Sequence, residues 1–183
     1  MTKKRKPESE MMSYGYDPHL SEGAAKTPLF QTSTFVFKNS EEGKAHFHIA
    51  YGLRKKRKNE NVSLAYSRIN NPNAEIVEER LKIWDNAEAC AVFQSGMAAI
   101  TTTILEITKP NTLIMHSSPL YGGTDHFIKH VLPKYGIKSM YFDSFDTIDK
   151  IVNKKNIKYP NLKVSLVYIE SPANPTNSLV DIK

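Results

Sequence analysis

Four short stretches hold side chains and backbone turns able to do chemistry: AYSRINNPN at 65–73, QSGMAAI at 94–100, SSPLYGGTD at 117–125 and ESPANP at 170–175. In the first, Tyr66 and Arg68 stand two apart, so an extended backbone presents both on one face. A phenol beside a guanidinium can clamp a phosphate through charge-assisted forked bonds. In the second, Ser95, Gly96 and Met97 lead from an apolar run into a helical pattern. Gly96 permits a tight turn, and the helix start offers open N–H groups and a positive dipole end to a single phosphate. A dinucleotide site would need G-x-G-x-x-G and a Walker loop G-K-[ST]; neither occurs. In the third, Tyr121 precedes two glycines and Thr124 is a candidate helix cap, so an aromatic ring is held where it can stack on a planar ligand. In the fourth, Pro172 and Pro175 stiffen a loop that presents the Asn174 amide and, beside it, the Glu170 carboxylate. Each stretch also has a plain structural use: a solvated arginine beside a packed tyrosine, a strand-to-helix turn, a tyrosine capping a sheet end, a strand-end charge.

Such groups need elements to hold them. Asn71 followed by Pro72, with Glu75, Glu78 and Glu79 early and Ile76, Val77, Leu81 and Trp84 on one face, predicts a helix over 72–86. Four apolar runs then read as strands: ACAVF (89–93), TLIMH (112–116), IKSMYF (137–142) and VSLVYI (164–169). Helical patterns lie between them: Met97, Ile100, Ile104 and Ile107; Phe127, Ile128, Val131 and Leu132, ending at Pro133; and Ile148, Ile151 and Val152 behind the cap candidate Asp146. Strands alternating with helices imply an α/β fold with a mostly parallel sheet covered on both faces. Ligands of such sheets bind beyond the carboxyl ends of the strands, where the last three of the four stretches begin or fall. Upstream, residues 1–13 are polar and read as frayed, 13–47 is aromatic-rich with Gly and Pro punctuation and reads as an extended arm, and 49–73 reads as a long connection. The expected organisation is therefore an arm and interface segment over 1–70 and a larger α/β part over 71–183.

At 183 residues, 40% hydrophobic and 24% charged, the chain suits one domain with a real core. The net charge of +6 comes largely from TKKRK at 2–6 and RKKRK at 54–58. With neither an aromatic ladder nor a basic amphipathic helix beside these runs, solvated termini and loops explain them better than nucleic-acid binding, which would be steeply salt-dependent. A lone Cys90 fits a reducing compartment, and the cytoplasm is the expected location. No leader-like apolar region and no apolar stretch of about 18 residues occurs, so no membrane role is expected. His46 with His48 and His126 with His130 are the metal candidates, but no carboxylate or thiol set completes either, and no metal is expected.

In this order and at these spacings, YSRINNP, SGMAA, LYGGT and ESPANP resemble the Cys/Met metabolism family of pyridoxal-phosphate enzymes, the trans-sulfuration group that includes cystathionine γ-synthase, cystathionine lyases and methionine γ-lyase. The resemblance implies the N-terminal part of a fold-type I, aminotransferase-like large domain preceded by an extended arm. It implies pyridoxal 5′-phosphate as cofactor and a sulfur amino acid as substrate, cleaved or exchanged at its β or γ carbon. By the same resemblance Gly96 and Met97, with Ser95, bind the phosphate; Tyr66 and Arg68 reach the phosphate of a neighbouring subunit in a homodimer or tetramer; Tyr121 stacks on the ring and protonates the leaving group; and Asn174, with Glu170 beside it, lies near the phenolic oxygen and the substrate. The family's cofactor-bearing lysine and its ring-pairing aspartate follow ESPANP, so the chain reads as a truncated or split member whose partner is a separate C-terminal half. The competing reading is a non-catalytic remnant or interaction module. Methionine γ-lyases carry a cysteine where this chain has Gly123, which tilts the expectation toward the cystathionine-type members.

By itself, then, the chain is expected to form no specific adduct with the cofactor. Its surface lysines are mostly protonated at neutral pH and should react slowly and without preference. Incubation with pyridoxal phosphate, borohydride reduction and peptide mapping should label many lysines weakly; one lysine labelled stoichiometrically, with turnover of cystathionine, would overturn the truncation reading.

Overall fold

The apolar runs at 112–116, 137–142 and 164–169 become strands because they find one another. In this computed structural model, which describes residues 5–58, 60 and 62–182, the chain divides into two units, Met1–Val92 and Phe93–Lys183. In the second unit β1 (Thr112–Ser118) lies between β2 (Lys138–Asp143) and β3 (Lys163–Tyr168), and both pairings are parallel. β1 reads as a continuous apolar run because each face is covered. On one face Ile114 joins Ile104, Leu120, Ile128, Leu132 and Ile137, and on the other Leu113 and Met115 join Met140 and Phe142. Each such side chain, fully buried, contributes about 1.5–3 kcal/mol. The β1/β3 register shifts between Leu113 and Ile114. The skipped residue, Ser165, turns its hydroxyl to the Leu113 carbonyl (3.3 Å) and to Thr112 Oγ1 (3.0 Å), so the irregularity leaves no stranded acceptor.

The helices of this unit follow their caps. α4 (Gly96–Ile107) supplies Ile104 to the core, and α6 (Ile148–Lys158) lays Ile151 on the opposite face. The cap of α6 is Thr147, whose hydroxyl accepts from Lys150 N, rather than Asp146. Asp146 instead accepts from Asp143 N (3.1 Å) and pairs with Lys150, so the signal lay one residue away from its use. The helix expected to end at Pro133 is broken into α5 (Gly122–His126), a π turn (Phe127–Val131) and a 3-10 turn (Leu132–Tyr135). Pro133 is accommodated early in that last turn, where a missing N–H costs nothing.

The fourth expected strand does not form. Residues 89–93 run without a ladder partner among the described residues, and Val92 N–H donates instead to Glu78 Oε1 (3.0 Å). Val92 and Phe93 are exposed. An apolar run is a strand only where a neighbouring backbone accepts and donates along it.

In the first unit the helix expected over 72–86 is α3 (Pro72–Asp85), capped by Asn71 and closed by left-handed Asn86. The arm is bonded to it: Phe30 N–H donates to Asn73 Oδ1 (2.8 Å), Asn73 Nδ2 to Pro28 O (2.8 Å), Asn71 Nδ2 to Phe30 O (3.0 Å), and Arg80 to the carbonyls of Tyr14 and Met12. These bonds account for α3 clustering with the first unit, although its regular apolar period begins what the sequence reads as the larger part. The start of the chain is less frayed than its polarity implies, with a short α1 (Pro7–Glu10), while residues 2–4 of the first basic run lie outside the described residues. Within the arm lies a helix the apolar period did not reveal, α2 (Ser40–Ala50), started by Asn39, whose Oδ1 accepts from Glu42 N (2.8 Å). The Asn39-to-Glu42 spacing was its available signal. The second basic run is partly neutralised locally, because Arg54 forks onto Glu60 at 2.8 and 2.5 Å. That fork, with the Arg57 N–H, holds the Glu60 carboxyl down at about 2.

His116 is buried in β1, its Nδ1–H bonded to the Ser117 carbonyl (2.9 Å). Burial pushes the imidazole below its ordinary value, against the opposing effect of that bond. The unfolded chain therefore takes up the proton first as pH falls, so stability is intact above pH about 6.5 and declines below it. Melting followed from pH about 7 to 5 should show a slope that His116→Gln reduces by at most about 1.4 kcal/mol per pH unit; equal slopes in both proteins would remove His116 as the cause.

Candidate functional site

Three chain segments meet at the carboxyl end of the sheet. A cleft of about 560 Å³ is lined by Ser95, Gly96 and Met97 from the start of α4, Tyr121 from the loop after β1, and Glu170 and Asn174 from the loop after β3. The six residues singled out in this unit thus face one space.

Ser95 makes the turn into α4. Its backbone is extended, its Oγ accepts from Ala98 N–H (3.1 Å) and its carbonyl from Ala99 N–H (3.1 Å). No acceptor among the described residues takes the Gly96 or Met97 N–H, so two donors and the positive end of a 12-residue helix open onto the cleft. Gly96 itself is not in the left-handed region, and a Cβ there would meet nothing within 4 Å. Neither the backbone angles nor crowding by neighbouring atoms therefore requires a glycine at this position.

Tyr121 is half exposed. It also precedes the first turn of α5 as its N-terminal flank, but makes no side-chain cap. Thr124, the expected cap, is fully buried within the helix and its hydroxyl points to Met97 Sδ (3.9 Å), linking α5 to α4. Gly123 is where space runs out. A Cβ there would lie 2.8 Å from Tyr121 Cε1 and 2.9 Å from Met97 Sδ.

Glu170 stands between the two loops. Its Oε2 accepts from Tyr121 N–H (3.0 Å), its Oε1 from Asn174 N–H (2.8 Å), and its own N–H donates to Ser117 Oγ (3.1 Å). The loop beyond is closed on itself, with Asn177 N–H on the Ala173 carbonyl (2.7 Å) and Ala173 N–H on Ser178 O (2.9 Å). Ala173 is buried, which leaves Asn174 at the exposed crest.

Two further residues line the cleft that the motifs did not single out: Ile100 and Tyr168. Both were within reach of simple periods, Ile100 one helical turn past Gly96 and Tyr168 two residues before Glu170 on the strand. Burial pushes the Tyr168 phenol above its ordinary value, a hydrogen bond with Thr124 opposes this, and the charge of Glu170 adds to it. The phenol therefore stays protonated at neutral pH.

Tyr66 and Arg68 belong to the first unit. Tyr66 bridges to Thr34, but the backbone turns immediately after, with the Ile69 and Asn70 N–H groups on Tyr66 O. The segment is thus not extended, and the Arg68 guanidinium lies over the Tyr66 ring, 5.2 Å from its centre, a contact of about 0.5–1 kcal/mol. The pair is adjacent, as the spacing implied, through stacking instead of strand alternation. Among the described residues no group of three His, Cys, Asp or Glu is placed to hold a metal ion, and no helix is long and apolar enough to cross a membrane.

A family model described as Cys/Met metabolism PLP-dependent enzyme matches residues 8–183. The L-methionine gamma-lyases of Treponema denticola and Pseudomonas putida are 36% and 33% identical over 87% and 92% of this chain, covering 36% and 38% of their own lengths. A putative cystathionine gamma-lyase 2 of Caenorhabditis elegans is 39% identical over 64% of this chain and 28% of its own. A crystal structure of a putative O-acetylhomoserine (thiol)-lyase from Campylobacter jejuni, carrying N′-pyridoxyl-lysine-5′-monophosphate, matches with a TM-score of 0.80 at 23% identity, over 98% of this chain and 40% of that one. The chain therefore spans well under half the length of the proteins it matches.

The crowding at Gly123 can be tested directly. In Gly123→Ala the Tyr121 ring and the Met97 thioether must give way, both being ends of flexible side chains, so stability should fall by less than about 1.5 kcal/mol while the ring moves. A crystal structure of the variant with the ring unmoved would refute the contact.

Proposed function

The chain belongs to the Cys/Met metabolism family of PLP-dependent enzymes, and we propose that its Phe93–Lys183 unit is the part that receives pyridoxal phosphate in a lyase or transferase acting on sulfur amino acids at the β or γ carbon. One observation carries this reading: three separate segments converge on a single cleft with two open main-chain donors, a half-exposed phenol and a side-chain amide around it. These are the groups a phosphorylated, planar, anionic cofactor requires. Bound there, pyridoxal phosphate would supply an electron sink that makes the Cα proton of an amino acid removable and lets a β or γ substituent leave.

The chain's own residues have distinct tasks in this reading. The Gly96 and Met97 N–H groups hold the phosphate, with Ser95 fixing the helix start that aims them. Tyr121 would face the cofactor ring from the cleft wall and supply a proton from its phenolic oxygen to the departing sulfur. Asn174 orients the substrate with its amide. Tyr66 and Arg68, pre-stacked on one another, serve the phosphate in a second copy within a homo-oligomer, which gives the arm a partner to cover. The relatives' names span methionine gamma-lyase, O-acetyl-L-homoserine sulfhydrylase and putative cystathionine gamma-lyase, and the substrate proposed is accordingly a sulfur amino acid or its activated precursor, handled in the cytoplasm. None of the residues lining the cleft is a lysine or an aspartate, and the Phe93–Lys183 unit is proposed to bind without turning over.

The test is titration of the assembled full-length protein with pyridoxal phosphate. Tyr121→Ala and Arg68→Ala should each weaken binding about ten-fold or more, and Arg68→Lys should not restore it, since the fork is lost. Unchanged affinity in Tyr121→Ala would overturn the assignment of the cleft; unchanged affinity in Arg68→Ala alone would overturn only the role across the oligomer.

A further inference from the structure

We propose that Glu170 is a positioning residue, a carboxylate clasp that holds the main chains of the two site loops in register so that Tyr121 and Asn174 face the same cleft. Three features lead there. The carboxylate uses one oxygen for Tyr121 N–H (3.0 Å) and the other for Asn174 N–H (2.8 Å). The two amides are far apart in sequence, Tyr121 standing 49 positions from Glu170 and Asn174 only 4, so the clasp joins a distant loop to a local one. And Glu170 is itself anchored from behind, its N–H on Ser117 Oγ at the end of β1.

An ionised carboxylate suits this task because it only accepts, and both oxygens can do so at once. A glutamine has one accepting oxygen and would turn an NH₂ donor against a main-chain N–H. Both oxygens being occupied by backbone, Glu170 acts through its neighbours: its bonds set where the Tyr121 ring and the Asn174 amide stand. The clasp rests on these distances alone, while its consequence for pyridoxal phosphate rests on the proposed reading of the cleft.

Amide hydrogen exchange measured residue by residue on the full chain tests it. In Glu170→Ala the Tyr121 and Asn174 amides should exchange about ten-fold faster or more, with the β1, β2 and β3 ladder amides unchanged. In Glu170→Gln one of the two should keep its protection. Protection of both amides surviving in Glu170→Ala would overturn the clasp, as would an equal loss across the ladder, which would make Glu170 a general support of the fold. In parallel, pyridoxal phosphate titrated into the assembled protein should bind Glu170→Ala about ten-fold more weakly, with Glu170→Gln between it and wild type. Wild-type protein that fails to bind pyridoxal phosphate would overturn the function proposed for the cleft and leave the exchange pattern to decide the clasp.

Discussion

β1 is paired on both edges and buried on both faces, and the second unit is organised around that constraint. With β2 on one side and β3 on the other, its backbone has no free donors or acceptors to offer along the ladder, and its alternating side chains seed two separate apolar clusters. α4 with the α5 segment must cover one cluster and α6 the other. A parallel sheet so covered can open only at its ends, so any pocket with polar walls must form where the loops leave the strands.

The cleft follows from that geometry. β1 and β3 end side by side, which places the Tyr121 loop next to the Glu170 loop, and Ile104 pins α4 to the core so that its first turn points to the same end. Local chemistry refines the placement. Ser95 caps the Ala98 N–H and leaves the Gly96 and Met97 donors open, while Thr124 and Met97 link the helices that follow the Tyr121 loop and the Ser95 turn. Gly123 lacks the Cβ that would crowd the Tyr121 ring and the Met97 thioether. The first unit shows a different economy: its arm has few apolar anchors and is held by amide side chains at the start of α3, notably Asn71 and Asn73, each donating to a main-chain carbonyl of the arm.

Much of this was legible in the residues themselves, because it depends on short-range periods and caps. The apolar runs of three strands, the Asn71-Pro72 start of α3, the helix after Ser95 and the order of the four motifs are properties of segments under about 15 residues, and they determined the α/β class, the family and the candidate residues. What the tertiary structure decided depends on partners that no local period specifies. The run at 89–93 has strand composition but no ladder partner among the described residues; Tyr66 and Arg68 meet by a turn and a stacking contact; Tyr168 lines the cleft with Met97 and Tyr121, which come from other segments. The joining of the Tyr121 and Asn174 loops lies furthest from sequence reading, since it is one carboxylate reaching a main-chain N–H 49 residues away. A hydrogen bond of that separation leaves no period to read, and it exists only once β1 and β3 have been laid side by side.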